Sequence, residues 1–241
     1  MSFVREQFQA AEENRFVSDF IRHVFSEPPS MLEVASRSVP GSAHPYEDRV
    51  LVDERLGLFA VADGVTLSSQ GSGAVAAELV LRLLHENFLG DLAAAIGKVH
   101  QIVARRREGD GSIGETTLTA VAVSERSLQA ANVGDSPAYL VRRSRMQSLV
   151  QEDKSPEGWI TQVIGFPETV DVHNTRLQLE EGDTVIVASD GVGHVLRPPL
   201  VTQPIGHSRA ADLAEAVINE ARKHVAGYDD DKSVIVLRFF S

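Results

Sequence analysis

The chain alternates pairs of short apolar runs with pairs of longer helical segments, and no other feature constrains its fold as much. Arg49 to Asp53 and Leu58 to Ala62 flank a short polar turn and read as a β-hairpin. Gly71 to Phe88 is rich in Ala, Leu and Val with no breaker after Gly73, so it reads as a long buried helix. Asp91 is placed to cap a second helix reaching Arg107. After a glycine-rich loop, Glu108 to Gly114, three strands are expected at Thr116 to Val123, Ser127 to Val133 and Ala138 to Arg142. Another follows at Asp183 to Ser189. Ala210 to His224 gathers Leu213, Ala214, Val217, Ile218 and Ala221 on one helical face, and Ser233 to Phe239 closes the chain as an apolar strand. This alternation predicts an α+β fold: two sheets packed together, with helices covering the outside.

Ahead of that pattern, Met1 to Phe25 spaces Phe3, Phe8, Phe16, Val17, Phe20, Ile21 and Val24 as a helix would, and Pro28 and Pro29 stop it. Residues 1–29 are therefore expected to be an amphipathic helix, and residues 30–241 a single domain. No apolar run approaches the ~20 residues that cross a bilayer, and Met1 to Ala10 lacks a signal-peptide pattern. A soluble, cytoplasmic protein without a membrane partner is the expectation. The chain has no cysteine, which excludes disulfides, a thiol nucleophile and Cys-ligated zinc. Its formal net charge of −11 argues against nucleic acid, which needs a basic footprint. An acidic excess also arises where carboxylates gather to hold divalent cations.

The positions of those carboxylates favour that second origin. Glu47-Asp48 precede the first hairpin strand, and Asp63-Gly64 follow the second. Asp190-Gly191 follow the apolar run ending at Ser189, and Asp229, Asp230 and Asp231 lead into the last strand. Hard divalent ions take oxygen ligands held on rigid elements, and a glycine beside the aspartate lets the backbone approach closely. An Asp-Gly after a strand is, taken singly, most often a turn.

Taken in order, the segments carry more. Glu47-Asp48, Val61-Ala62-Asp63-Gly64-Val65, Gly114-Glu115-Thr116-Thr117 and Asn132-Val133-Gly134-Asp135-Ser136 come first. Trp159 to Gly165, Ala188-Ser189-Asp190-Gly191-Val192 and Asp230 to Val236 follow. This series resembles the metal-dependent serine/threonine phosphatases of type 2C, over roughly Ser36 to Phe240. The resemblance implies a four-layer α-β-β-α sandwich with two central antiparallel sheets, residues 30–241 being the catalytic domain. It implies two Mg2+ or Mn2+ ions bridged by Asp63. Glu47 and the Gly64 carbonyl would complete one ion's protein ligands, and Asp190 and Asp230 the other's. Asp48 would hold metal-bound water, and the resulting hydroxide would attack phosphoserine or phosphothreonine of a protein substrate, opposing a serine/threonine kinase. The alternative is a catalytically weak or inactive pseudophosphatase acting as a phosphoprotein-binding or regulatory module.

The chain departs from the family pattern at several points. The family's phosphate-binding arginine is replaced by Ala43; Arg37 upstream and His44 beside it are the candidates to take its place. Asp135 is present, but His194 stands where a third ion would need a carboxylate, so a third ion is not expected. The flap that usually precedes the Ile-Thr-Gln segment shrinks to a few residues around Pro156. Trp159 is expected to pack inside, and none of His85, His100, His173, His207 and His224 shows metal-ligand spacing.

Overall fold

The computed structural model describes residues 32–65, 70–166, 169–202, 209–225 and 227–240. The amphipathic helix expected over residues 1–29 lies outside them. Among the described residues ten strands form two antiparallel sheets, and their ranges fix the labels used below. The first sheet contains β1 (Leu32–Val39), β10 (Lys232–Phe239), β9 (Thr184–Ala188), β6 (Ala138–Arg142) and β7 (Arg145–Ser148), adjacent in that order. The second contains β2 (Arg49–Asp53), β3 (Leu58–Ala62), β4 (Leu118–Ser124), β5 (Ser127–Val133) and β8 (His173–Gln178), again in that order.

Inward-facing side chains of both sheets make one apolar layer. Phe59, Val61, Val121 and Leu128 from the second sheet meet Leu140, Val187, Ile235 and Phe239 from the first. The opposite face of each sheet is just as apolar and must be covered, which explains why β3, β9 and β10 are buried without alternation. Helices α1 (Gly73–Asn87) and α2 (Leu92–Arg107) cover the second sheet through Leu84, Ile96 and Val99. Three helices cover the first: α3 (Asp190–Gly193), α4 (Pro198–Thr202) and α5 (Ala210–Lys223), the last through Leu213, Val217 and Ile218. This is the four-layer α-β-β-α arrangement expected from the sequence. Both long-helix caps fit local chemistry: Ser72 accepts the Val75 amide and Asp91 the Ala94 amide.

Candidate active site

The motifs that lie far apart in sequence interlock at the strand ends. Asp63 follows β3, and its backbone is pinned by the Thr-Thr pair. Its amide donates to Thr117 Oγ1 at 3.1 Å, and its carbonyl accepts from the Thr117 amide and the Thr116 hydroxyl, both at 2.8 Å. Thr117 Oγ1 also meets the Ser136 hydroxyl at 2.8 Å, which ties in the Gly-Asp-Ser turn carrying Asp135. Asp190 opens α3 directly after Ser189. Ser189 exchanges hydrogen bonds with Ser233 through its amide and its hydroxyl, both at 3.0 Å, so β9 and β10 present Asp190 and Asp230 together. Glu47 accepts the Ala74 amide at the start of α1 through Oε1 at 3.3 Å.

The electrostatics show which of these carboxylates share a neighbourhood. Burial pushes Asp63 well above the usual carboxylate range, and the charges of Asp48, Asp190, Asp230 and Asp135 push it further. Asp190 is raised to about 6 by burial and then by Asp135 and Asp230, against a downward pull from Lys154. Asp48 is raised to about 7, chiefly by burial, then by Asp231 and Asp230. The hydroxyls of Ser233 and Ser189 favour its charged form, yet neither oxygen sits in a hydrogen bond of normal geometry. Glu47 Oε2 is likewise buried without a hydrogen-bond partner. Like charges this close are relieved either by protonation or by a bound cation.

The donor set suits hard divalent cations: it consists of oxygen, it is acidic, and three of its buried oxygens lack partners. Among the described residues no three acidic or imidazole groups already surround one point as an ion would need. Two of the carboxylates instead meet internal bases: His44 Nε2 donates to Asp230 Oδ1 at 2.7 Å, and Lys154 Nζ lies 3.3 Å from Asp135 Oδ2.

His44 and Arg37, the two candidates for the missing arginine, part company here. The His44 side chain is 4% exposed, stacked on Tyr228. Its Nδ1 faces the Pro45 carbonyl at 2.8 Å and its Nε2 the Asp230 carboxylate; both partners only accept, so both ring nitrogens donate. Burial lowers its pKa, but the Pro45 carbonyl and the Asp230 and Asp231 carboxylates outweigh burial, and the net direction is upward. Arg37 corrects the sequence reading. It pairs across the sheet with Val234, whose side chain belongs to the outer layer, and its Nε binds Glu215 of α5 at 3.1 Å. The strand pleat therefore turns Arg37 away from the carboxylates, onto the helical face. Trp159 is a second correction: it is 74% exposed rather than packed.

Sequence reasoning also missed Asp231. Its Oδ2 accepts the Glu47 amide at 2.6 Å and the Asp48 amide at 3.3 Å, and its Oδ1 accepts the Gly41 amide at 2.8 Å. Within a run of three aspartates nothing in the sequence marks which one turns inward.

Comparison with known proteins places this architecture. The family model described as Stage II sporulation protein E (SpoIIE) matches residues 68–240. The serine/threonine protein phosphatase PstP of Mycobacterium tuberculosis is 25% identical over 235 residues, covering 86% of this chain and 45% of that protein. The chain thus spans less than half the length of that relative. The probable protein phosphatase 2C 39 of Arabidopsis thaliana is 27% identical over 249 residues, covering 83% of this chain and 84% of that one. Among solved structures, the catalytic domain of PstP in complex with two manganese ions matches with a TM-score of 0.75 at 23% identity, over 88% of this chain and 99% of that one. Stp1 of Staphylococcus aureus matches with a TM-score of 0.76 at 19% identity, over 90% and 98%. The structural likenesses show a shared fold.

Proposed function

Because the chain belongs to the family described as Stage II sporulation protein E, within the type 2C phosphatases, we propose that it hydrolyses phosphoserine and phosphothreonine in a protein substrate. One observation carries this reading: the motif carboxylates Asp48, Asp135, Asp190 and Asp230, brought in from both sheets, gather around the carboxylate of Asp63. Glu47, Asp63, the Gly64 carbonyl, Asp190 and Asp230 would hold two Mg2+ or Mn2+ ions. Such a pair of ions supplies an activated water at neutral pH and neutralises phosphoryl oxygens. The chain's own contribution is placement. Asp231 fixes the backbone of Glu47 and Asp48, and Thr116 and Thr117 fix that of Asp63. Asp48, buried beside the Ser189 and Ser233 hydroxyls, is set to accept a hydrogen bond from the attacking water.

In the reaction, water oxygen bonds to phosphorus, the bond from phosphorus to the serine or threonine oxygen breaks, and the freed alcohol gains a proton. No protein nucleophile is required, in keeping with a chain that has no cysteine. The inactive-scaffold alternative gains no support, since the relatives reported above are named as phosphatases. The test is release of phosphate from a phosphothreonine peptide and from p-nitrophenyl phosphate, with Mn2+ and with chelator. Turnover that appears only with Mn2+ is the expected result. A preparation that binds Mn2+ but leaves both substrates untouched would refute the reading.

A further inference from the structure

A phosphate dianion entering a ring of carboxylates needs cationic donors besides metal ions, and Ala43 supplies none. Most cations near the cluster are already engaged. Arg37 faces Glu215, and both nitrogens of His44 are committed. Arg49 directs Nη1 to the carbonyls of Tyr46 and Asp48. Lys232 is buried, its ammonium held by the Asp229 carboxylate and the Asp230 carbonyl. Lys154 is also paired, but with Asp135 of the cluster itself, and one such contact leaves an ammonium further donors. Its ammonium lies 3.3 Å from Asp135 Oδ2 and 3.7 Å from Glu152 Oε2, with a third of the side chain exposed.

Its backbone is held firmly. The preceding residue, Asp153, donates its amide to the Gly134 carbonyl at 2.9 Å and accepts the Gly134 amide on its carboxylate at 2.8 Å. Asp153 also accepts from Gln162 and meets His173 Nε2, each at 2.8 Å. Beyond Lys154 the chain closes a short hairpin. A bridge joins Lys154 to Ile160, and the Ser155 amide donates to the Trp159 carbonyl at 2.8 Å. This short turn sets one lysine at the cluster's rim, beside Asp135.

We propose that Lys154 anchors the substrate phosphate: its ammonium donates to a non-bridging phosphoryl oxygen while Asp135 holds it in place. This rests on the phosphatase reading above. An ammonium has three rotatable donors, so the Asp135 contact leaves others for an anion. A lysine ammonium is charged near neutral pH, and the Asp135 carboxylate 3.3 Å away favours that charge. A contact to non-reacting oxygens binds ground and transition states alike, so its loss should appear in KM rather than kcat.

The test compares the parent with Lys154→Met and Lys154→Arg at saturating Mg2+. Inorganic phosphate binding is read by calorimetry and by emission of Trp159, the chain's single tryptophan, in the same hairpin. Steady-state kinetics on p-nitrophenyl phosphate run alongside. Lys154→Met should weaken phosphate binding and raise KM about tenfold to a hundredfold, with kcat nearly unchanged. Lys154→Arg should recover most of both. Parent-like phosphate affinity and KM in Lys154→Met would overturn the proposal while leaving the phosphatase reading standing. So would a fall in kcat alone, which indicates a structural role. If the parent turns nothing over, the phosphatase reading fails, and the calorimetric comparison still decides Lys154. Should Lys154→Met lose its folded melting transition, Lys154→Gln takes its place under the same criteria.

Discussion

Asp231 and Glu47 stand 184 residues apart in sequence, yet the carboxylate of the first accepts the backbone amide of the second at 2.6 Å. With the Asp48 and Gly41 amides also bound, one buried side chain joins the start of β10 in one sheet to the loop entering β2 in the other. Asp231→Ala would strand these amides, two of them buried, at about 1–3 kcal/mol each. We expect a stability loss of about 3–5 kcal/mol in urea unfolding, together with weaker Mn2+ binding because Glu47 is no longer aimed. Asp231→Asn keeps an acceptor oxygen and should lose less of both. An alanine variant as stable as the parent would show that water satisfies those amides instead.

Asp63 is the carboxylate on which the others converge, and its neighbours repel its charge. Asp63→Asn should therefore raise the melting temperature of the metal-free protein near pH 8, where that repulsion is strongest. The same change should abolish both Mn2+-dependent turnover and the rise in melting temperature that Mn2+ gives the parent, since an amide oxygen is a poor ligand. Asp190→Asn should behave alike. Thermal melts with and without MnCl2 decide the matter. A variant that keeps the parent's Mn2+ response would remove Asp63 from the ion site.

The elements legible in the sequence were those buried on both faces, and the strands that escaped were edges. β3, β4, β9 and β10 are mostly apolar and buried almost throughout because helices cover one face and a second sheet the other. β1, β7 and β8 each end a sheet and are half-exposed along their length, so His173 to Gln178 and Arg145 to Ser148 read as loop. β2 is also an edge, but Val50, Leu51 and Val52 gave it away. In the site, glycines and carboxylates of the motifs were visible from sequence. The face on which Arg37 emerges was not, because it depends on the register of β1 against β10. The inward turn of Asp231 and the outward position of Trp159 are likewise tertiary facts, written in no local pattern.

Asp91 ties α2 to the second sheet: Oδ1 accepts the Ala94 amide at 3.0 Å and Oδ2 accepts Arg176 of β8 at 2.9 Å. The Ala94 hydrogen bond lowers its pKa most, burial opposes it, and the Arg176 contact helps keep the net direction downward. A carboxylate with a lowered folded pKa stabilises above its unfolded value of about 3.9, and that contribution fades as pH falls through the folded value. Asp91→Ala should thus lower stability by about 1 kcal/mol at pH 7, a cap's usual worth. The difference between variant and parent should shrink below pH 4. Urea midpoints at pH 7 and pH 3 test this, and a gap that widens in acid would contradict the cap assignment.

Gly64 and Gly73 meet back to back where β3 ends and α1 begins. A Cβ on Gly64 would lie 2.5 Å from the Gly73 carbonyl carbon and 2.8 Å from Glu47 Cβ. A Cβ on Gly73 would lie 2.6 Å from the Gly64 carbonyl carbon. Backbone cannot yield as a side-chain tip can, so Gly64→Ala must push the start of α1 away and stretch the Ala74 amide from Glu47 Oε1. We expect a loss of about 1–3 kcal/mol and a matching fall in Mn2+ affinity, because Glu47 and the Gly64 carbonyl move together. Gly97, inside α2, supplies the contrast: nothing lies within 4 Å of its Cβ position. Gly97→Ala should gain about 0.5–1 kcal/mol from helix propensity and leave ion binding untouched. Opposite signs for the two substitutions, read by urea unfolding and Mn2+ calorimetry, are the expected outcome. Equal, small effects would mean that the Gly64 backbone has room to spare, and that close approach to α1 does not explain the glycine after Asp63.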